Sequence, residues 1–251
     1  MATGADSAND HQHASAAAVK SGWSALGENG HQHGSGVIEL DDATQVQLSV
    51  QLAPTAQLIA KYPTLADAEA AGYRRAGRFN PGLGVHYGAF GRGADGAITG
   101  VDGEVMVPQL IYDGTDPGSP LAGFMYMAEA PEGAVPEGFV GSNDHWHYHS
   151  KLCVKIGSEG IKVLLPDDDN ITAAECAAAQ GMYVGQSGYM VHVWTVPGYE
   201  SDEGVFSGLN RKLTCPDGTY HTATTEGGGS KDSTCASAVA AATAGTATTG
   251  A

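Results

Sequence analysis

Glycine and proline divide this chain into short segments. Its 251 residues include 36 glycines and 11 prolines, residues that interrupt helices and mark turns. Between them lie apolar or alternating runs of strand length: EVMVPQLIYD (104–113), LAGFMYMAEA (121–130), KVLLP (162–166) and YMVHVWTVPG (189–198). The spacing therefore favours a strand-and-loop architecture over a helical bundle.

Helices are expected mainly before residue 73. Asp41 and Asp42 can cap a helix that Pro54 interrupts, although the alternation in residues 46–52 also fits a strand. A second N-terminal helix is clearer, because PTLADAEAAGY (63–73) contains a capping-box pattern and a glycine stop.

One later helix is predicted in NITAAECAAAQG (170–181). Thr172 and Glu175 form a T-x-x-E capping box, and Gly181 ends the segment. The predicted fold is therefore α+β, with two or three N-terminal helices packed on an antiparallel β-sheet or sandwich and with disordered termini.

Low-complexity sequence at both ends suggests a three-part organisation. Residues 1–36 are rich in Ala, Gly, Ser, Asn and His, and the chain ends in ASAVAAATAGTATTGA. We expect a disordered, histidine-containing segment over 1–36, one metal-binding α+β domain over 37–222, and an Ala/Thr/Gly/Ser-rich flexible tail over 223–251.

The charge of the chain limits its partners. Acidic residues outnumber basic ones 28 to 12, which gives a formal net charge of −16. Such a surface repels phosphate backbones and anionic lipids and attracts cations. We expect a metal ion as partner, with no nucleic acid and no membrane insertion, since no apolar run approaches membrane-spanning length. The sequence leaves the oligomeric state open.

The four cysteines predict disulfides. None lies in a CxxC motif, and the four cysteines allow three pairings. We favour the pairing local in sequence, Cys153 with Cys176 and Cys215 with Cys235. An oxidising compartment follows, so the protein is expected to be secreted or at the cell surface. The N-terminus shows no signal-peptide pattern, so either this is a mature or trimmed form carrying an added methionine or the disulfide prediction is wrong.

Histidines alternate in SNDHWHYHSKLC (142–153). If this segment is extended, His145, His147 and His149 share one face, with about 7 Å between successive side chains. Two neighbouring imidazoles can reach one ion, but the outer pair is too far apart. The ligands would be His145 with His147 or His147 with His149. The alternative is a polar strand edge that binds no metal.

Two further histidines strengthen the metal interpretation. His86 follows a Pro-Gly-x-Gly turn in FNPGLGVHYG, where glycines permit close backbone approach. His192 lies in an apolar strand, where a histidine is either hydrogen-bonded in the core or bound to metal. All-imidazole ligation suits copper or zinc. The predicted metal ligands are His86, His145, His147, His149 and His192.

Other polar residues could complete or extend this site. Glu129, Asp144 and Glu104 are candidate carboxylates, although a solvated acid is the stronger explanation for each, because the chain has 28 acidic residues. Tyr87, Tyr148 and Trp194 could shape a substrate pocket. The HxH pairs near the N-terminus, at 11–13 and 31–33, could collect metal loosely.

An HxH strand followed by a later histidine strand resembles the cupin barrel, where two HxH histidines, a glutamate and a distant histidine bind a metal. The glutamate expected soon after HxH is absent here, since Lys151 and Cys153 occupy that stretch. No family is therefore assigned.

Three functions remain open from the sequence. The first is a secreted protein that binds copper or zinc. The second is a metal-dependent enzyme, a hydrolase or cupin-like oxygenase, using the same site. The third is a structural cell-surface or filament protein with incidental histidines. The sequence contains no GxSxG, HExxH or P-loop signature.

Overall fold

The structure is a computed structural model, and it describes residues 38–80, 82–90, 95–101, 103–129, 136–164, 171–213, 222–223 and 233–234. The described helices are α1 (Asp42–Leu52), α2 (Thr55–Lys61), α3 (Leu65–Ala70) and α4 (Ala173–Ala178). None of the helices within these ranges is long and apolar enough to cross a membrane. The predicted segment 1–36 lies outside the described residues.

Local sequence explains where the N-terminal helices begin and end. The Asp41 carboxylate accepts a hydrogen bond from the Thr44 backbone N–H at 2.8 Å, so the ambiguous segment after it is helical. Pro54 separates α1 from α2. The side chains of Thr64 and Asp67 form the predicted reciprocal capping box of α3.

Nine of the described strands belong to one sheet. They are β1 (Arg74–Ala76), β2 (Val85–Gly88), β3 (Ile98–Thr99), β4 (Val105–Tyr112), β5 (Leu121–Ala128), β6 (Ser150–Gly157), β7 (Gly160–Val163), β8 (Met182–Gln186) and β9 (Tyr189–Val193). Their order is β8-β6-β7-β1-β2-β4-β5-β9, with β3 paired to β4. Two short strands, β10 (Thr222–Ala223) and β11 (Ser233–Thr234), pair separately with each other.

The α+β prediction is confirmed, with one difference in the sheet. Every described pairing in the large sheet is antiparallel except β1 with β7, which run parallel. The sheet is therefore mixed. Three N-terminal helices, α1 to α3, pack against it, the upper end of the predicted number.

The path of hydrogen-bonded strands returns on itself. It starts at β8 and finishes at β9, and these strands are separated in the chain only by residues 187–188. The chain before β6 also bridges to β9, because His147 and Met190 exchange backbone hydrogen bonds of 2.9 and 2.7 Å. The two ends of the sheet are thereby joined, and the sheet curls.

The curled sheet has two different faces. The larger core joins the helices to one face, with Leu58 and Leu65 packing in the same cluster as Leu110, Phe124 and Tyr126. The side chains that alternate with these point to the opposite face. That face carries a smaller apolar cluster: Ile111, Ala122, Met125, Met190, Trp194 and Leu213.

A disulfide holds α4 against the sheet. Cys153 in β6 bonds to Cys176 in α4, as the sequence predicted, and both are fully buried. Thr172 and Glu175 cap the helix reciprocally. A Cβ atom at Gly181 would lie 2.5 Å from the Cys153 sulfur, so the residue after this helix must be small. The predicted Cys215–Cys235 pair lies outside the described residues.

Candidate functional site

Four of the predicted histidines converge on the face opposite the helices. His86 comes from β2, His192 from β9, and His147 and His149 from the segment before β6. The ring centroid of His192 lies 5.6 Å from that of His86 and 5.3 Å from that of His147. The rings of His147 and His149 are 5.8 Å apart. We call these four residues the histidine cluster.

The curl of the sheet makes this convergence possible. Strands β4 and β5 lie between β2 and β9, so a flat sheet would hold His86 and His192 about 14 Å apart. Their actual ring separation of 5.6 Å shows that the histidine-bearing face is concave. Strand pairing between residues distant in sequence therefore assembles the cluster.

Local features fix the direction of each side chain. Gly84 has a positive φ of 67°, and a Cβ there would lie 2.5 Å from the Tyr112 carbonyl oxygen, so glycine lets the turn before β2 approach β4. His86 then pairs in register with Ile111. His192 stacks on Trp194, with ring centroids 5.8 Å apart and an interplanar angle of 18°.

Three of the four cluster histidines are buried, and His149 is partly buried. His86 is 8% exposed, and His147 and His192 are each 3% exposed. Burial, followed by charge repulsion from His149, lowers the pKa of His86 to about 4. His86 is consequently neutral near pH 7, the protonation state in which an imidazole nitrogen can bind a metal. Its Nε2 atom is buried without a hydrogen-bond partner among the described residues.

The ring spacing resembles that of ligands sharing an ion, but the ring orientation differs. With nitrogen–metal distances of about 2.0–2.1 Å, two imidazoles on one tetrahedral ion have centroids about 5 Å apart. Here the rings of His86 and His147 are tilted only 39° and 30° from that of His192, so they lie partly face to face. Within the described ranges, no group of three or more His, Cys, Asp or Glu side chains is arranged to hold a metal ion.

The fifth predicted ligand, His145, lies elsewhere. It lines a partly open cavity of about 300 Å³ between the start of α1 and residues 203–207, beside Leu48 and Phe206. Regular strand pairing begins only at Ser150, and Lys151 has a positive φ of 56°. The segment 145–149 is therefore not the regular strand that the alternation predicts, and its bridge to β9 is made at His147.

The candidate carboxylates serve other purposes or face solvent. Asp144 accepts hydrogen bonds from the Phe139 backbone N–H at 3.0 Å and from Trp146 Nε1 at 2.8 Å. Burial raises the pKa of Asp144 to about 6, an effect that these two hydrogen bonds partly oppose. Glu104 and Glu129 are exposed.

The aromatic residues expected to shape a pocket lie on different faces. Trp194 contacts His192, as described above. Tyr87 instead belongs to the helix-side core, where its ring makes an edge contact with Tyr112 at 5.9 Å. Tyr148 makes an edge contact with Tyr189 at 5.4 Å. Of these three aromatic residues, only Trp194 thus makes a ring contact with the histidine cluster.

Sequence reasoning overlooked the residues between the histidines. Met125 pairs in register with His192, and Met127 pairs with Met190. Gln109 Nε2 lies 3.0 Å from the Met127 sulfur. The period-two placement of methionine in LAGFMYMAEA was the available signal, because residues two apart on a strand share a face.

Comparisons with known proteins provide no independent assignment of this site. No protein-family model matches the chain, and neither the curated proteins nor the solved structures contain a match to it.

Proposed function

We propose that this protein binds a transition metal ion, copper or zinc, through the histidine cluster. The observation that carries the proposal is the meeting of four imidazoles from three separate segments, with neighbouring ring centroids 5.3–5.8 Å apart. Burying several imidazoles together has a desolvation cost, which metal–nitrogen bonds would offset. Binding requires the rings to rotate so that their nitrogens face a common point.

The surroundings favour binding over hydrolysis. A hydrolytic site needs a vacant coordination position and a general base near the metal-bound water. The Asp144 carboxylate already accepts two hydrogen bonds, which occupy it and keep it from acting as that base. Glu104 and Glu129 are exposed. A metal-binding or storage role therefore has more support than a metal-dependent hydrolase.

The chemistry of the chain also supports a location. The Cys153–Cys176 disulfide is typical of oxidising compartments. A formal charge of −16 raises the local concentration of cations around the protein. Both features support our proposal that the protein is secreted or at the cell surface and takes its metal there.

Metal titration of the full chain tests the proposal. The parent protein for this experiment carries four substitutions that remove the N-terminal HxH pairs: His11→Asn, His13→Asn, His31→Asn and His33→Asn. Zn(II), Cu(II) and anaerobic Cu(I) are titrated separately, and bound metal is counted by mass spectrometry. One tight equivalent of at least one of these ions is expected.

Matched substitutions locate the bound ion. His147→Phe and His192→Phe keep an aromatic ring but remove nitrogen donors. Losing a residue that only supports a ligand weakens metal binding by about tenfold to a hundredfold, so each of these variants should lose at least that much affinity. His145→Phe is the control and should bind like the parent. Thermal melts verify that each variant folds. The proposal fails if the parent binds no stoichiometric metal, or if the control weakens binding as much as the cluster variants.

A further inference from the structure

Methionine side chains border the histidine cluster on the same concave face. Met125, Met127 and Met190 occupy alternate positions of β5 and β9, together with His192. Met125 and Met190 are each 6% exposed and belong to the apolar cluster of that face. Thioether sulfur therefore lies in the same buried region as the imidazoles.

Met190 has a histidine on each of two sides. Its backbone exchanges two hydrogen bonds with His147, so the two residues are direct cross-strand neighbours. His192 follows two positions later on the same face of β9. The rings of these two histidines are 5.3 Å apart, which puts two imidazoles and one thioether within one neighbourhood.

Met125 supplies a second sulfur beside His192. The two residues are register partners on adjacent antiparallel strands, where side chains directly opposite have Cβ atoms about 4.5–5.5 Å apart. Met127 differs, because its sulfur lies 3.0 Å from the Gln109 amide nitrogen and is engaged there. Met125 and Met190 are thus the two candidate sulfur ligands.

We propose that the site selects Cu(I), with His147 and His192 supplying nitrogen and Met190 and Met125 supplying thioether sulfur. This inference rests on the metal-binding function proposed above and names the ion and its soft ligands. Thioethers favour Cu(I) over harder divalent ions, whereas zinc sites use thiolate, imidazole and carboxylate. A mixed set also suits a cluster in which the described His, Cys, Asp and Glu side chains form no group of three arranged for a metal.

The competing explanation is that these methionines only fill space. Methionine adapts to irregular gaps in cores, and both residues contact the apolar cluster containing Ile111 and Trp194. The two explanations differ in what leucine does at these positions. Leucine preserves most of the packing but removes the sulfur.

Cu(I) competition measures the contribution of sulfur. The full-length parent, Met125→Leu, Met190→Leu and the double variant compete anaerobically with a chromophoric Cu(I) chelator, and Zn(II) affinity is measured in parallel. Met106→Leu is the matched control, because Met106 is buried in the helix-side core. Each site variant should lose about tenfold or more in Cu(I) affinity, with no comparable loss for Zn(II) and none in the control.

X-ray absorption of the copper-loaded protein gives a second, structural readout. A copper–sulfur scattering shell beside copper–nitrogen is expected, and it should disappear in the double variant. If metal binds but the parent lacks that shell, or if the double variant retains Cu(I) affinity, the Cu(I)–thioether proposal is wrong while metal binding stands. If the parent binds none of the three ions, both proposals fail.

Discussion

Removing the Cys153–Cys176 disulfide should destabilise the domain without changing its fold. We would replace both cysteines by alanine in a parent that already carries Cys215→Ala and Cys235→Ala. That background makes Cys153–Cys176 the only possible disulfide in the molecule. The difference between the two proteins then reports on one bond.

The length of the closed loop sets the expected magnitude. The bonded cysteines are 23 positions apart in sequence. In the chain-entropy description, closing a loop of that length in the unfolded state stabilises the fold by about 3 kcal/mol. For a domain of this size, that loss should lower the unfolding midpoint by roughly 6–12 °C.

Urea denaturation followed by tryptophan fluorescence measures this loss directly. Reducing the disulfide in the parent provides a matched comparison, because it removes the cross-link and keeps both sulfur atoms. The reduced parent and the alanine variant should lose similar free energies of unfolding. The reasoning is refuted if reduction lowers the free energy of unfolding by less than about 1 kcal/mol, because closing a loop of this length should contribute more than that.

Substitutions at three other positions test the packing, the charge and the helix cap. Gly123→Ala should cost about 1–3 kcal/mol in urea denaturation, because its Cβ would lie 2.5 Å from the Trp194 ring; an unchanged midpoint would contradict that packing. The pKa of Asp144 is about 6 in the folded protein, above its ordinary value of 3.8. The contribution of this raised pKa to the free energy of unfolding is therefore fully present below pH 3.8 and is lost as the pH rises through 6. Between about pH 4 and pH 7, the free energy of unfolding should therefore fall less in Asp144→Asn than in the unsubstituted protein. The same dependence of unfolding free energy on pH in both proteins would refute this. Thr172→Ala should cost about 1 kcal/mol by removing the hydroxyl that accepts from the Glu175 N–H, whereas Thr172→Ser should cost little by the same assay.

Features determined by nearby residues were predictable from the sequence. The capping boxes at Thr64 and Thr172 depend on side chains three positions apart, and both are present. The alternation around His192 also corresponds to the two faces of the sheet, because Met190 and Trp194 share a cluster while Val191 and Val193 belong to the helix-side core. Such patterns need no knowledge of distant partners.

Features that depend on distant pairing were not predictable in the same way. The parallel contact of β1 with β7 and the curl that brings His86 to His192 join segments far apart in sequence. The alternation of histidines also failed to predict the place of His145, which lies outside the histidine cluster. The backbone of this segment is irregular, with a positive φ at Lys151. The sequence does not single out the methionines, because an alternating apolar run is also typical of an ordinary core strand.

The closure of the sheet has a consequence for metal loading. The proposed donors lie on both sides of the bridge between His147 and Met190, so the donor set is complete only when that pairing has formed. An ion held there would bind the finished fold and not the unfolded chain, and each molecule would gain stability in proportion to the logarithm of free metal. Bound metal would thus distinguish completely folded molecules from those whose sheet has opened.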